Sequence, residues 1–448
     1  MLAVESPLLL DLGVDMQRTA ALFLSAFLCA GCGEARESRE AAFTLKNGLR
    51  VVLRPVSGAS QVAAVVLFDI GDDHDPKGKS GLAHLIEHLY ITAAAGTSPA
   101  RDVRAFMAKY GTGWNAQTGS HYTVLATVFP AGDLDAELAD AAARMGSLSV
   151  AQADLDREKP RVLDELANMF GRIPPLAAAN LAREKVRPSP AGGRKGGIPD
   201  EVKRITLDDV HGALKRFCTP ANAILVLAGG LEVAAARKKV EEHFAAIPSG
   251  EKAPPAQTVP AALPGATETV HARPLQPGMP AFAAVSLRAP LPNDAGYPAF
   301  LVLAQRLTAS SGKLSAHQGH FPVNYALLDD PEALTLSVPL QSGESPEKAV
   351  ERMNAFIDEG VGRPFARGEI QGVKNTYGFF LGLLDLPDAM AAKQPYGLAF
   401  SIGRRLQLGL DGAQLSKALD KLTPEGVQET AKKYFGAERR AAVAVIPE

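Results

Sequence analysis

Between residues 81 and 94 the apolar side chains fall at Leu82, Leu85, Ile86 and Leu89, the i, i+3, i+4, i+7 spacing of one helix face. That spacing predicts a helix over 81–94, and its opposite face carries His84, Glu87 and His88. The flanking segments change period. "VAAVVLFDI" at 62–70 is a continuous β-branched and alanine run of strand length, and "SHYTVLATVF" at 120–129 reads as another strand. "LKNGLRVVL" at 45–53 sets Asn-Gly between apolar runs and predicts a hairpin. "DLDAELADAAARMGSL" at 133–148 returns to the helical period. The mixture gives an α+β fold, with helices packed against a mainly antiparallel sheet.

The pattern is written twice. "ITLDDVHGALKRFCTPANAILVLAG" from Ile205 and "LTPEGVQETAKKYFGAERRAAVAVIP" from Leu422 both open on a threonine, Thr206 or Thr423, at a helix N-cap position. Both place a basic pair and an aromatic near the helix end, then run into an alanine- and valine-rich strand. The front ends agree as well: Arg54–Pro55 precedes "AAVVL" at 63–67, and Arg273–Pro274 precedes "AAVSL" at 283–287. Similar offsets at both ends predict two duplicated domains, 42–250 and 271–448. The Pro- and Ala-rich stretch 251–270 is the expected linker.

Composition narrows the class. Of the 448 residues 46% are hydrophobic and 21% charged, and 49 acidic against 47 basic residues give a net charge of -2. Nucleic-acid binding, which wants a basic surface, is not expected. The three cysteines, Cys29, Cys32 and Cys218, make no disulfide framework. Cys29 and Cys32 end "MQRTAALFLSAFLCAGC", a basic residue, an apolar run and small residues, which is a signal-peptide layout too short for a membrane span. "AGC" followed by polar residues has the look of a bacterial lipoprotein signal. Residues 1–41 are therefore read as a leader and tether, with Cys32 the lipidated residue. The protein is then exported, periplasmic, and held to the membrane only through a lipid anchor. Cys218 is expected to be a buried apolar filler.

His84 and His88, four apart, can aim their imidazoles at one point about 2 Å from each. Glu87 projects beside that point, where it can take a proton from a water held there. The bland alternative is a solvated helix face that happens to hold two histidines. A third ligand is offered by "DLDREKPRVLDELANMF" at 154–170, where Glu158 and Glu165 lie two turns apart on one helix face. Pro160 between them is expected to start or kink that helix.

H-x-x-E-H followed 77 residues later by Glu165, with Glu158 seven before it, resembles the pitrilysin/insulinase-type zinc metallopeptidases (inverzincins), which include mitochondrial processing peptidase. "YGTGWNAQTGSHYTVLAT" carries their Asn-Ala-x-Thr signature at Asn115, Ala116 and Thr118. The resemblance runs over about residues 43–448 and is strongest in the first half. It implies Zn2+ held by His84, His88 and Glu165, with Glu87 as general base and Glu158 orienting a histidine ligand. The reaction implied is endopeptidase cleavage of peptides or unfolded segments, the substrate lying along an edge strand near Asn115. Trp114 beside it reads equally well as a core residue.

The second copy has no H-x-x-E-H. In the family this half, or a partner's, grips substrate with an arginine and a tyrosine. Tyr325 stands in a plausible place, as substrate contact or as core aromatic, but the arginine position is Gln318. His317 and His320 read as surface residues. A second homologous subunit supplying the Arg/Tyr pair, or a homodimer, is therefore expected. The rival reading is a non-catalytic scaffold or assembly subunit of the same fold.

Overall fold

The computed structural model describes residues 40–255, 267–314 and 322–448. Cys29, Cys32, His317, Gln318 and His320, and the middle of the expected linker, lie outside the described residues.

The first half contributes β1 (Ala41–Thr44), β2 (Arg50–Pro55), β3 (Gln61–Phe68), β4 (Ala94–Ala95), β5 (Trp114–Thr118), β6 (Thr123–Pro130), β7 (Leu148–Ser149) and β8 (Ala223–Gly229). Six of them form a sheet in the order β1-β2-β8-β3-β6-β5, and β4 pairs with β7 apart from it. The second half contributes β9 (Glu268–Ala272), β10 (Phe282–Arg288), β11 (Val323–Tyr325), β12 (Ala333–Pro339) and β13 (Arg440–Pro447), in the order β11-β12-β10-β13-β9. Read from the other edge, the second sheet repeats β2-β8-β3-β6-β5 strand for strand. The one parallel pairing recurs in the same place, β2 on β8 and β9 on β13, and the remaining pairings of both sheets are antiparallel. The fold is thus α+β with two duplicated units. β9 begins inside the stretch expected as linker.

The threonine caps are as expected. Thr206 accepts from the Asp209 amide and Thr423 from the Gly426 amide, starting the helices Leu207–Phe217 and Pro424–Phe435; each cap contributes about 1 kcal/mol. The expected Asn-Gly hairpin is looser than a two-residue turn. β1 pairs with β2 in a register that leaves residues 45–49 as the connection. Gly48 takes a positive φ of 92° there, while the Asn47 amide reaches away to the carbonyls of Phe244 and Ile247.

The halves do not pack as two separate units. Four helices, α1 (Leu82–Thr92), α2 (Gln152–Ala167), α3 (Pro174–Val186) and α4 (Pro395–Leu408), build the site and join the halves. α3 belongs to the first half by sequence, yet Ala177, Ala178 and Ala182 pack on Ala284, Val443 and Val445 of the second sheet. α4 comes from the second half, yet Leu398, Ala399 and Ile402 pack on Val65, Leu67 and Val226 of the first. Small residues make both approaches close: a Cβ on Gly403 would lie 2.7 Å from Leu67 Cδ1. Each sheet therefore has one face covered by a helix of the other half, a long-range exchange that local periodicity does not encode.

Candidate metal centre and active site

α1 starts where its own sequence supplies no cap. Gly81 sits at the N-cap with φ 100°, a left-handed conformation suited to glycine. Its amide and that of Ala83 donate to the two oxygens of Asp75, at 2.6 and 2.8 Å. A carboxylate six residues upstream thus satisfies the buried start of the helix. Every residue of α1 except His88 is buried. The leucine stripe faces the core as expected. The histidine face is not a solvated surface, because α2, β5 and the loop 192–197 close over it.

In that enclosed space three donors converge. His84 Nε2 lies 3.3 Å and His88 Nε2 3.5 Å from Glu165 Oε2, and one ligand atom of each residue lies within 4.8 Å of the others. Direct charge-assisted hydrogen bonds would be about 2.7–2.9 Å long. Two ligand atoms at about 2.0–2.1 Å from a tetrahedral zinc stand about 3.3 Å apart. The spacing therefore fits a shared cation better than direct pairing. The far side of each ring agrees. His84 Nδ1 lies 2.9 Å from the carbonyl oxygen of Gly196 and His88 Nδ1 3.5 Å from Glu158 Oε2. An oxygen acceptor on Nδ1 fixes the proton there and leaves the Nε2 lone pair for a metal. The residues present fit zinc.

The charges are arranged to match. Burial works against an imidazolium at His88, but the neighbouring Glu158 and Glu165 carboxylates outweigh it and push the ring up to about 10 without a cation. A proton and a divalent cation compete for the same lone pairs. Burial raises Glu158, and its bonds to His88 and Arg157 outweigh that and bring it to about 2. Arg157 Nε donates to Glu158 at 2.9 Å and Arg161 Nη1 at 3.1 Å. Glu165 is lowered by the two histidines despite burial. Its side chain is 32% exposed against 1% for Glu158, so the centre is open to solvent on the Glu165 side. Pro160 neither starts nor interrupts the helix. α2 runs through it from Gln152 to Ala167, keeping Glu158 and Glu165 in register.

Glu87 lies between the two histidines on α1, 7% exposed, and its Oε2 accepts from Thr118 Oγ1 at 2.6 Å. Burial raises this carboxyl above the ordinary range, against the pull of His84 and His88.

The remaining expectations fare differently. Asn115 is on β5, an edge of the first sheet, and its amide donates to the Tyr396 hydroxyl of α4 at 2.5 Å. Trp114 packs edge-on to Phe106, 5.3 Å between ring centroids. Of the two readings offered for Tyr325, substrate contact or core aromatic, the surroundings match the core one. It is 6% exposed, meets Phe300 edge-on, and donates to the Pro331 carbonyl at 3.0 Å. Cys218 is buried as expected, and burial pushes its thiol up to about 12.

Sequence reasoning missed Asp75, Arg157, Arg161 and the loop 192–197. "GGRKGG" there was visible as a glycine-rich loop. Nothing local said that it would return to α1. Gly196 and Gly197 have φ of 72° and 128°. A Cβ on Gly197 would lie 2.7 Å from Gly81 Cα, so three glycines let the two backbones meet. Asp72 completes the support by accepting from the Gly196 amide at 3.1 Å; burial raises its carboxyl to about 6.

Comparison with known proteins identifies the family and the fold. The family profile "Insulinase (Peptidase family M16)" matches residues 50–190, and "Peptidase M16 inactive domain" matches 204–377. The zinc protease PqqE of Helicobacter pylori is 26% identical over 258 residues, 57% of this chain and 54% of that protein; the match spans about half the length of that relative. A crystal structure of a protease from Helicobacter pylori superposes with a TM-score of 0.76 at 19% identity, over 91% of this chain and 99% of that one. The first half of the periplasmic protease PqqL from Escherichia coli gives 0.67 at 16% identity, over 93% of each chain. At these identities the superpositions establish the fold. With both profiles in sequence order, and the H-x-x-E-H helix inside the first, the chain belongs to the M16 (insulinase) family of peptidases.

Proposed function

We propose that this chain is a zinc-dependent endopeptidase acting on peptides or unfolded segments, with Glu87 as the general base. The observation that carries the reading is the convergence of His84 Nε2, His88 Nε2 and Glu165 Oε2 beside the Glu87 carboxylate. Zinc held by His84, His88 and Glu165 would supply the Lewis acidity that polarises a scissile carbonyl and acidifies a water. Glu87 takes the proton of the attacking water and hands it to the leaving amine. Gly196 and Glu158 hold the two rings in one tautomer. Among the described residues the outer edge of β5 has no partner strand in the sheet, so an extended segment can pair along it through its backbone. That requirement favours unfolded substrates over folded ones.

With Tyr325 in the core and a glutamine, Gln318, at the expected arginine position, the family's substrate-gripping pair is incomplete at these two positions. A homologous second subunit, or a second copy of the chain, is the proposed source. The same gap is what favours the rival, a non-catalytic assembly subunit, but the complete donor set around Glu87 favours hydrolysis. Among the described residues no helix is long and apolar enough to cross a membrane. Export, and a lipid anchor at Cys32, are proposed from the 16–32 pattern, and export accords with the periplasmic description of PqqL.

The test is cleavage of an unstructured peptide library by the exported form together with whatever co-purifies, wild type against Glu87→Gln. The expected result is that the variant keeps its zinc and loses cleavage by at least about a hundredfold. Cleavage at the wild-type rate by the variant would remove the mechanism.

A further inference from the structure

The hydroxyl of Thr118 lies 2.6 Å from Glu87 Oε2, and both side chains are 7% exposed. We infer that Thr118 is a positioning residue for the general base, its hydroxyl fixing one carboxylate oxygen so that the other faces the attacking water. The inference rests on the peptidase reading above and deepens it.

Three observations make the hydroxyl a fixed donor. Thr118 is the last residue of β5, paired with Thr123 of β6. The turn beyond it is closed by the Gly119 amide on the Tyr122 carbonyl at 2.8 Å, and a Cβ on Gly119 would fall 2.2 Å from the Tyr122 ring. That ring is fully buried, with the Arg404 guanidinium 3.8 Å above its centre. The backbone at 118 is thus pinned from the turn side, and a β-branched side chain adds a restricted χ1. A hydroxyl suits the task because it donates to Oε2 whether or not Oε1 carries the proton. The base keeps its orientation through the whole cycle. Valine at this position would have the same shape and no donor, leaving a buried carboxylate oxygen unpaired. Because β5 is also the proposed substrate edge, the strand that pairs with the peptide backbone is the one that holds the base.

The experiment uses the zinc-loaded exported protein together with whatever co-purifies, and an unstructured fluorogenic peptide, with wild type, Thr118→Val and Thr118→Ser. The expected result is a loss of about tenfold in kcat for Thr118→Val with KM within about twofold and unchanged zinc content, and most of kcat retained by Thr118→Ser. A second readout needs no activity. The drop in urea midpoint caused by Thr118→Val in wild type should vanish when the same change is made in a Glu87→Ala background. Wild-type kcat in Thr118→Val, a loss confined to KM, or the same midpoint drop in both backgrounds overturns the inference. A wild type that binds zinc and cleaves nothing overturns the peptidase reading instead, and the urea comparison then judges the contact by itself.

Discussion

The carbonyl oxygen of Gly196 lies 2.9 Å from Nδ1 of His84, across 112 residues of chain. A backbone acceptor on a loop between two helices thereby sets the tautomer of the His84 ring on α1. The loop can come this close only because of its glycines. A Cβ at 196 would stand 3.3 Å from His84 Nδ1 and 3.3 Å from Leu166 Cδ2, at a φ of 72°.

Gly196→Ala is therefore expected to weaken zinc binding by about tenfold or more by displacing this acceptor. The left-handed backbone adds a stability cost on the order of 1–2 kcal/mol. Competition with a chelating dye, read beside a urea melt, separates the two effects. Unchanged affinity would mean that the carbonyl does not orient the ring.

Asp75 receives two amides of the buried start of α1. Asp75→Ala should cost about 2 kcal/mol of unfolding free energy, a cap together with orphaned buried donors. Asp75→Asn, which keeps one carbonyl oxygen, should recover part of it. Urea denaturation of the three proteins at one pH checks the order.

Glu158 bears on His88 without being a ligand in the proposed set. Glu158→Gln should reduce zinc affinity by about 10–100-fold while leaving one zinc per chain at saturation. A stoichiometry below one at saturating zinc would instead make Glu158 a ligand.

Away from the zinc site, Glu332 of the second half meets His121 at 2.5 Å and Arg187 at 3.1 Å, with Arg288 at 3.5 Å; Asp73 pairs with the same Arg187. Burial would raise the Glu332 carboxyl, but the His121 bond and the Arg187 charge outweigh it and bring it from 4.5 to about 2. A depressed carboxylate stabilises the fold above its unfolded pKa and loses that contribution as pH falls toward its folded one. Glu332→Gln should thus be less stable than wild type at pH 6, by up to about 3 kcal/mol, and the gap should close as pH falls from 4.5 toward 2. Urea midpoints measured across that range read it directly. A gap that stays constant with pH would contradict the assignment.

Much of this was legible in the sequence because it is local or periodic. The i, i+3, i+4 placement of His84, Glu87 and His88 against the leucines fixed their side of α1, and the seven-residue spacing put Glu158 and Glu165 on one face of α2. The Thr206 and Thr423 caps, the buried strands and the duplication were visible for the same reason. What was not legible depends on distant chain segments. No local pattern tells that Gly196 returns to His84, that Asp75 caps a helix it does not belong to, or that α3 and α4 change sheets. Pro160 misled because a proline costs a helix one hydrogen bond and some room; here it lies on the exposed face of α2, while Leu155, Val162 and Leu166 anchor the opposite face in the core. Tyr325 was left with two readings because position in the sequence does not tell which way a strand residue points.

The central claim is that His84, His88 and Glu165 hold one zinc ion. X-ray absorption at the zinc edge, on protein loaded with one equivalent, tests it most directly. The account predicts a nitrogen and oxygen first shell at about 2.0–2.1 Å, with outer-shell scattering from two imidazoles in wild type and from one in His88→Ala. A spectrum without imidazole scattering, or one unchanged by His88→Ala, would contradict it.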